Sequence, residues 1–175
     1  MSRQIETLHQ TRFLELVQCD RWQWVRRPHP VVCIVAMTDD RRVLLIEQNR
    51  VPVDARVIEL PAGLVGDEGD AAESMVEAGR RELLEETGYE AESLCEIFVG
   101  VTSAGLTDEV STFLLAKGIR KVVEATGTGD ERIEQHLVPL DDVDAWLAER
   151  QRAGRKVDAR VIAGLYFLRR EAGRS

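Results

Sequence analysis

Glu82, Glu85 and Glu86 stand at positions i, i+3 and i+4, so a helix through them stacks three carboxylates on one face. Like charges at this spacing cost roughly a few tenths of a kcal/mol per pair. Acidic groups are also better placed near a helix N-terminus than near the C-terminal end, where these lie. Alone, the cluster reads as a solvated acidic face. A divalent cation changes that account, because hard ions such as Mg²⁺ take carboxylate oxygens as ligands and cancel the repulsion. Such an ion could also stand between the carboxylates and the phosphate of an anionic substrate.

The surroundings of the cluster favour the second account. Arg81 follows Glu73 by eight residues, and Gly88-Tyr89 come directly after Thr87, where a glycine suits the left-handed conformation that ends a helix. Ahead of the cluster, Pro61-Ala62-Gly63 ends a strand-like run, and a glycine there lets backbone carbonyls approach a ligand.

The elements that must position these residues are visible as changes of period. Residues 11–18 and 22–27 alternate as two strands about a turn at Cys19-Asp20-Arg21. Val31–Met37 is continuously apolar and β-branched, which predicts a strand buried on both faces. Asp39-Asp40 turns the chain into a second buried strand over Val43–Ile46, and a short strand over Val57–Leu60 ends at Pro61. From Ala71 the pattern becomes helical, with Ala72, Val76, Leu83 and Thr87 on one stripe. Strand-like runs follow at 94–101, 110–116 and 132–138. Asp141 or Asp142 can cap a helix carrying Val143, Trp146 and Leu147. Asp158 can cap another carrying Val161, Ile162, Leu165 and Leu168. Strands interleaved with three helices predict an α/β fold, an α/β/α sandwich around a mixed sheet.

Composition narrows the function classes. A chain of 175 residues, 44% of them hydrophobic, suits one domain with a core of its own. No run approaches the ~18 apolar residues of a membrane span, and MSRQIETLHQ lacks the apolar core of a secretory signal. The net charge of −8, from 31 acidic and 23 basic residues, disfavours general nucleic-acid binding. Cys19, Cys33 and Cys95 are an odd, widely spaced set that fits neither a disulfide framework nor a zinc site. The expectation is a reduced, cytoplasmic protein. His9, His29 and His136 have no spacing of a metal triad and read as ordinary residues.

The segment Glu73-x7-Arg81-Glu82-Leu83-Leu84-Glu85-Glu86-Thr87-Gly88-Tyr89 resembles the signature of the Nudix hydrolases, G-x5-E-x7-R-E-U-x-E-E-x-G-U, and matches it completely from the first glutamate onward. The departure lies ahead of it, where nine residues instead of five separate Gly63 from Glu73. Loops tolerate insertions, so the helix is expected to be intact and only the loop's reach altered. The resemblance implies Glu82 and Glu86 as the main metal ligands, Glu85 close beside them, and the carbonyl of Ala62 as a further ligand. Two or three Mg²⁺ or Mn²⁺ would bridge the pyrophosphate. Gly63, Glu73, Arg81 and Gly88 would be the structural residues of the box, with Glu73 and Arg81 bracing the helix by an ion pair.

Outside the box, Glu47-Gln48-Asn49-Arg50 and Glu59-Leu60-Pro61-Ala62-Gly63-Leu64 resemble the ADP-ribose pyrophosphatase branch. So do Val138-Pro139-Leu140 and the alanine-rich last helix. That branch implies hydrolysis of ADP-ribose or a related nucleoside diphosphate sugar to a nucleoside monophosphate and a sugar phosphate. A pyrophosphatase of another nucleotide (a nucleoside triphosphate, a dinucleoside polyphosphate, NADH) and a non-catalytic nucleotide sensor are the alternatives. Arg50 would contact phosphates or be a strand-end surface arginine. Glu59 would support the metal-binding loop or touch metal. Residues 1–28 resemble the N-terminal β-hairpin extension that this branch packs across a homodimer, ahead of a catalytic domain over 29–175. Trp22, Trp24, Arg26 and Arg27 of that extension are candidates for the base pocket, with a plain dimer-core role open for the tryptophans. The loop Thr102–Glu109 would border the terminal ribose or form an ordinary polar hairpin. For the general base, relatives place a glutamate on a loop between later strands, which here points to Glu131 before Glu134, with Glu85 the remaining candidate.

Overall fold

A computed structural model describes residues 4–67, 69, 72–125 and 133–173. Three strands come first: β1 (Glu6–Gln10), β2 (Glu15–Cys19) and β3 (Trp22–Arg26). They form an antiparallel sheet of their own, in the order β1-β2-β3. The expected hairpin is therefore the second half of a three-stranded sheet. The first strand escapes a reading by period because all five of its residues, Glu-Thr-Leu-His-Gln, are exposed and carry no apolar alternation.

The rest of the chain builds two mixed sheets instead of the single one expected. One holds β7 (Ala62–Leu64), β4 (Val31–Ala36), β9 (Val110–Lys121) and β8 (Tyr89–Val101), in that order. The other holds β10 (Glu134–Pro139), β5 (Arg42–Arg50), β6 (Ala55–Glu59) and β11 (Lys156–Val157). β4 runs parallel to β9 and β11 parallel to β6, and the remaining pairs are antiparallel. Helix α1 (Met75–Thr87) lies against β4, β7, β8 and β9, α2 (Val143–Arg152) against β10 and β11, and α3 (Ala159–Ala172) against β4 and β6. The fold class is the expected α/β sandwich of mixed sheets and three helices.

β4 is the centre of the packing. All six of its residues are buried, as its unbroken apolar run predicts, and successive side chains serve opposite faces. Val32, Ile34 and Ala36 pack with Ala78 and Leu83 of α1 and with Leu114 and Ala116 of β9. Val31, Cys33 and Val35 pack with Val161, Leu165 and Leu168 of α3, with Leu147 of α2, and with Leu45 and Ile58 of the other sheet.

Two details of α1 depart from the helical period. The helix starts at Met75 and not at Ala71, because Ser74 is its N-cap: the Ser74 side chain accepts from the Glu77 N–H, and the Glu77 side chain accepts from the Ser74 N–H. This reciprocal pair satisfies two orphan donors of the first turn. The buried stripe is Ala78, Gly79, Leu83, Glu86 and Thr87, while Val76 is exposed. Asp158 caps α3 through the Arg160 N–H as expected, whereas Asp142 takes the N-cap position of α2 without a side-chain bond.

Gly88 ends α1 at φ 72°, and its N–H donates to the Leu84 carbonyl at 2.7 Å. A Cβ built there would lie 2.0 Å from the Val123 carbonyl oxygen. Gly88→Ala combines left-handed strain with a backbone clash, so it should destabilise the fold by about 2 kcal/mol or more. Urea denaturation at neutral pH measures this against wild type.

Candidate active site

The close approach of α1 to β7 defines the site. On β7, alternate residues face opposite ways: Ala62 and Leu64 pack on the α3 side of the sheet, and Gly63 faces α1. A Cβ at Gly63 would fall 1.9 Å from the Glu82 side chain, so only glycine lets this carboxylate reach the strand. One turn on, Glu86 Oε2 accepts a hydrogen bond from the Ala62 N–H at 3.0 Å. Glu86 is 9% exposed, which is low for a carboxylate with one backbone donor.

Arg81 ties this end of the helix to the chain in front of it. Its guanidinium donates to Glu73 Oε1 at 3.0 Å, to Glu82 Oε1 at 2.7 Å and to the Leu64 carbonyl at 2.9 Å. It also lies 3.5 Å from carboxylate oxygens of Asp67 and Glu85. Glu73 in turn accepts from the Gly66 N–H at 2.8 Å. The bonds from Arg81 and from that N–H hold the Glu73 carboxyl below its usual range. The nine-residue stretch between Gly63 and Glu73 is thus fastened to α1 at its start, through Leu64, Gly66 and Asp67, and the catalytic-type helix is undisturbed by its length.

Burial dominates the electrostatics of this end of the molecule. Burial pushes Glu86 up to about 8; the Ala62 N–H opposes the shift, and the charges of Glu82 and Glu59 add to it. Burial likewise pushes Glu82 up to about 7, against the pull of Arg81 and with the repulsion of Glu85 and Asp67 added. A buried carboxyl and a half-buried one that both resist ionisation, beside a third and beside a strand stripped of its side chain, are an oxygen donor set suited to a hard divalent cation. Glu82, Glu85, Glu86 and the strand backbone at Ala62 fit such an ion.

Next to this set, Glu59 is buried and held on both sides: Gln48 Nε2 donates to it at 2.8 Å, and Arg50 forks onto it at 2.9 and 2.8 Å. Arg50, Glu59, Ala62 and Gly63 line a cleft of about 840 Å³. Its lining also includes Arg27, Phe98, Thr102 and Glu109 and, from later in the chain, Lys156, Asp158 and Arg160. Sequence reasoning reached Asp158 only as a helix cap and missed Lys156 and Arg160. The two-residue strand β11, which carries Lys156 to β6, has no periodicity to find, and Arg160 lies in the first turn of α3. Trp24 and Arg26 are not part of this lining. Both bond to Asp108, and Trp22 and Trp24 border a smaller cleft of about 360 Å³ with Ile5, Cys19 and Asp20.

Of the two loop glutamates, Glu131 lies outside the described residues. Glu134 opens β10. Its neighbour Gln135 reaches the Glu86 carbonyl at 3.4 Å, whereas Glu134 pairs with Arg56 at 3.3 Å on the opposite face. There, Glu134, His136 and Glu47 bring ligand-type atoms within 4.8 Å of one another, a convergence that the histidine spacing did not suggest. Burial disfavours the charge on Glu47, yet bonds from Arg56, His136 and Arg155 hold its pKa below the usual value. With two guanidiniums already on Glu47, this cluster is an ion-pair network, and a cation would have to displace them.

A helix with this acidic face, braced by Arg81 and set against Gly63 in the lining of the cleft, defines a Nudix-type hydrolase scaffold. Residues 27–161 match the NUDIX domain, and the chain belongs to that family. It is 34% identical over 142 residues to an ADP-ribose pyrophosphatase of Bacillus subtilis (strain 168), covering 80% of this chain and 72% of that protein. It is also 30% identical over 152 residues to a methanol dehydrogenase activator of Bacillus methanolicus, covering 86% and 77%. Among solved structures, an ADP compounds hydrolase superposes with a TM-score of 0.74 at 24% identity, over 96% of this chain and 90% of that one.

The raised carboxyls predict a pH dependence for the metal-free protein. An acid whose folded pKa exceeds its unfolded value of 4.5 stabilises the fold fully below that value. The contribution is lost as pH rises through the folded values, about 7 for Glu82 and about 8 for Glu86. In EDTA, the difference in melting temperature between Glu86→Gln and wild type should therefore shift toward the variant from pH 5 to pH 8. A pH-independent difference contradicts the assignment of burial at Glu86.

Proposed function

We propose that the protein hydrolyses the pyrophosphate bond of ADP-ribose or a related nucleoside diphosphate sugar. Water adds to one phosphorus, the bridging P–O bond breaks, and a nucleoside monophosphate and a sugar phosphate leave. The observation that carries this reading is the convergence of Glu82 and Glu86 on the backbone of Ala62-Gly63, which lines a cleft together with Arg50. Glu82, Glu85, Glu86 and the Ala62 carbonyl would hold Mg²⁺ or Mn²⁺, two or three ions, which neutralise the pyrophosphate and lower the pKa of the attacking water. Arg50 offers a cation to the phosphates, and Glu59 fixes it by its bidentate pair. Glu73 and Arg81 keep the helix in register with the loop before it. The similarity to an ADP-ribose pyrophosphatase over most of both chains supports the substrate class.

The general base in this reading is Glu131. The placement of Glu134 on the Arg56 face of β10, away from Glu86, supports that choice. The reading also includes a homodimer formed through the three-stranded sheet, which leaves Phe13, Leu14, Leu16 and Trp22 exposed. Its three cysteines are free, which suits the reducing cytoplasm. Among the described residues, no helix is long and apolar enough to cross a membrane.

Glu86→Gln keeps size and helix propensity but removes a ligand charge, so kcat on ADP-ribose should fall at least ~10²-fold with the fold intact. Turnover within threefold of wild type at saturating Mg²⁺ sinks the metal assignment. A panel of ADP-ribose, ADP-glucose, NADH, diadenosine polyphosphates and nucleoside triphosphates tests the substrate class.

Glu131→Gln should cost ~10²–10⁴-fold in kcat with KM nearly unchanged, the usual worth of a general base. Glu134→Gln should leave kcat within a few-fold. The reverse pattern reassigns the base. Light scattering reads the oligomer directly, with about twice the 19.7 kDa chain mass expected.

A further inference from the structure

The loop between β8 and β9 walls the cleft but has no core of its own. Residues 101–110 include no buried residue, and Leu106 is 61% exposed. Internally it is closed by polar bonds: the Leu106 and Thr107 N–H groups both donate to the Ser103 carbonyl. Since apolar packing does not fix where it lies, its external hydrogen bonds must.

Those bonds run to β3. The Val25 N–H donates to the Leu106 carbonyl at 2.8 Å, and Val25 bridges Thr107 in parallel register. Asp108 then accepts on a single oxygen from two β3 side chains, the Trp24 indole N–H at 2.9 Å and the Arg26 guanidinium at 3.4 Å. One residue on, Glu109 lies 3.6 Å from Arg27, and Thr102, Glu109 and Arg27 all face the cleft.

We propose that Asp108 is a positioning residue for substrate binding: by clamping Trp24 and Arg26 it fixes the cleft wall at Thr102 and Glu109, so that the N-terminal sheet sets substrate affinity from outside the cleft. This rests on the reading of the cleft as the site for a nucleoside diphosphate sugar. None of Trp24, Arg26 and Asp108 is itself in the cleft lining that includes Ala62 and Gly63, so the clamp does not touch the reacting atoms. Removing it therefore weakens ground state and transition state alike, which raises KM and spares kcat.

Asp108→Ala should raise KM for ADP-ribose about tenfold, the size of a lost charge-assisted hydrogen bond, with kcat within about twofold. Asp108→Asn still accepts from Trp24 and should fall between. Trp24→Phe should raise KM, and combining it with Asp108→Ala should add little, because both remove the same bond. In the metal-free protein without substrate, amides of residues 102–109 should exchange faster in Asp108→Ala than in wild type. Unchanged KM, a kcat loss at unchanged KM, multiplying effects in the double variant, or unaltered exchange would each overturn the clamp. If Asp108→Ala does not fold, Asp108→Asn and Trp24→Phe decide by the same measures. If wild type does not hydrolyse ADP-ribose, the functional reading fails while the exchange measurement still tests the clamp.

Discussion

Two carboxylates are pressed against a strand backbone where ionisation is costly, and the arrangement holds only because everything around it is committed to that contact. Glu82 reaches β7 because Gly63 has no side chain to meet it. Glu86 is buried against the Ala62 N–H. Leu83 between them is fully buried among Val32, Ile34 and Leu114, so the acidic face cannot rotate outward without exposing the core face of α1. Arg81 supplies the neighbouring positive charge and spends it on several carboxylates and a carbonyl at once. A single guanidinium does not neutralise that many acids, which leaves the local charge negative and open to a cation.

The same logic of shared partners organises the other face. Glu47 is buried with Arg56, Arg155 and His136 around it, and His136 stacks on Trp146 of α2. This network adds polar ties among β5, β6 and β10 to the apolar cluster that already joins them to α2. Both faces of the second sheet therefore carry a buried carboxylate fixed by arginine, Glu59 on one and Glu47 on the other, on adjacent antiparallel strands. Burial makes each of these acids expensive to leave unpaired, and that cost fixes the strand ends at which they sit.

Much of this was legible in the residues. The unbroken run over Val31–Ala36 is a fully buried strand, the glutamate spacing does place three carboxylates on one helix face, and Gly88 does stop that helix. What was not legible has a common physical cause. β1 and β11 have no apolar alternation and are held by pairing with their neighbours, so no local pattern announces them. The helix start was misplaced because Ala71 and Ala72 suit a helix as well as a loop, and the reciprocal Ser74–Glu77 cap decides the matter. Trp24 and Arg26 carried the right chemistry for a ligand, but their partner Asp108 is more than eighty residues away in the chain, and only the fold brings it near.

The alternation along β4 and β7 has a consequence for how such a protein can change over time. Val32 and Ile34 belong to the face that carries the acidic helix, whereas Leu64 and Val31 belong to the face turned toward the cleft and α3. Neighbouring codons thus write to separate layers of the molecule. Replacements that reshape the cleft can accumulate in one layer while the packing under the carboxylates stays fixed in the other. A lineage built on this strand pair can diversify in what it accepts without passing through forms that have lost the acidic helix.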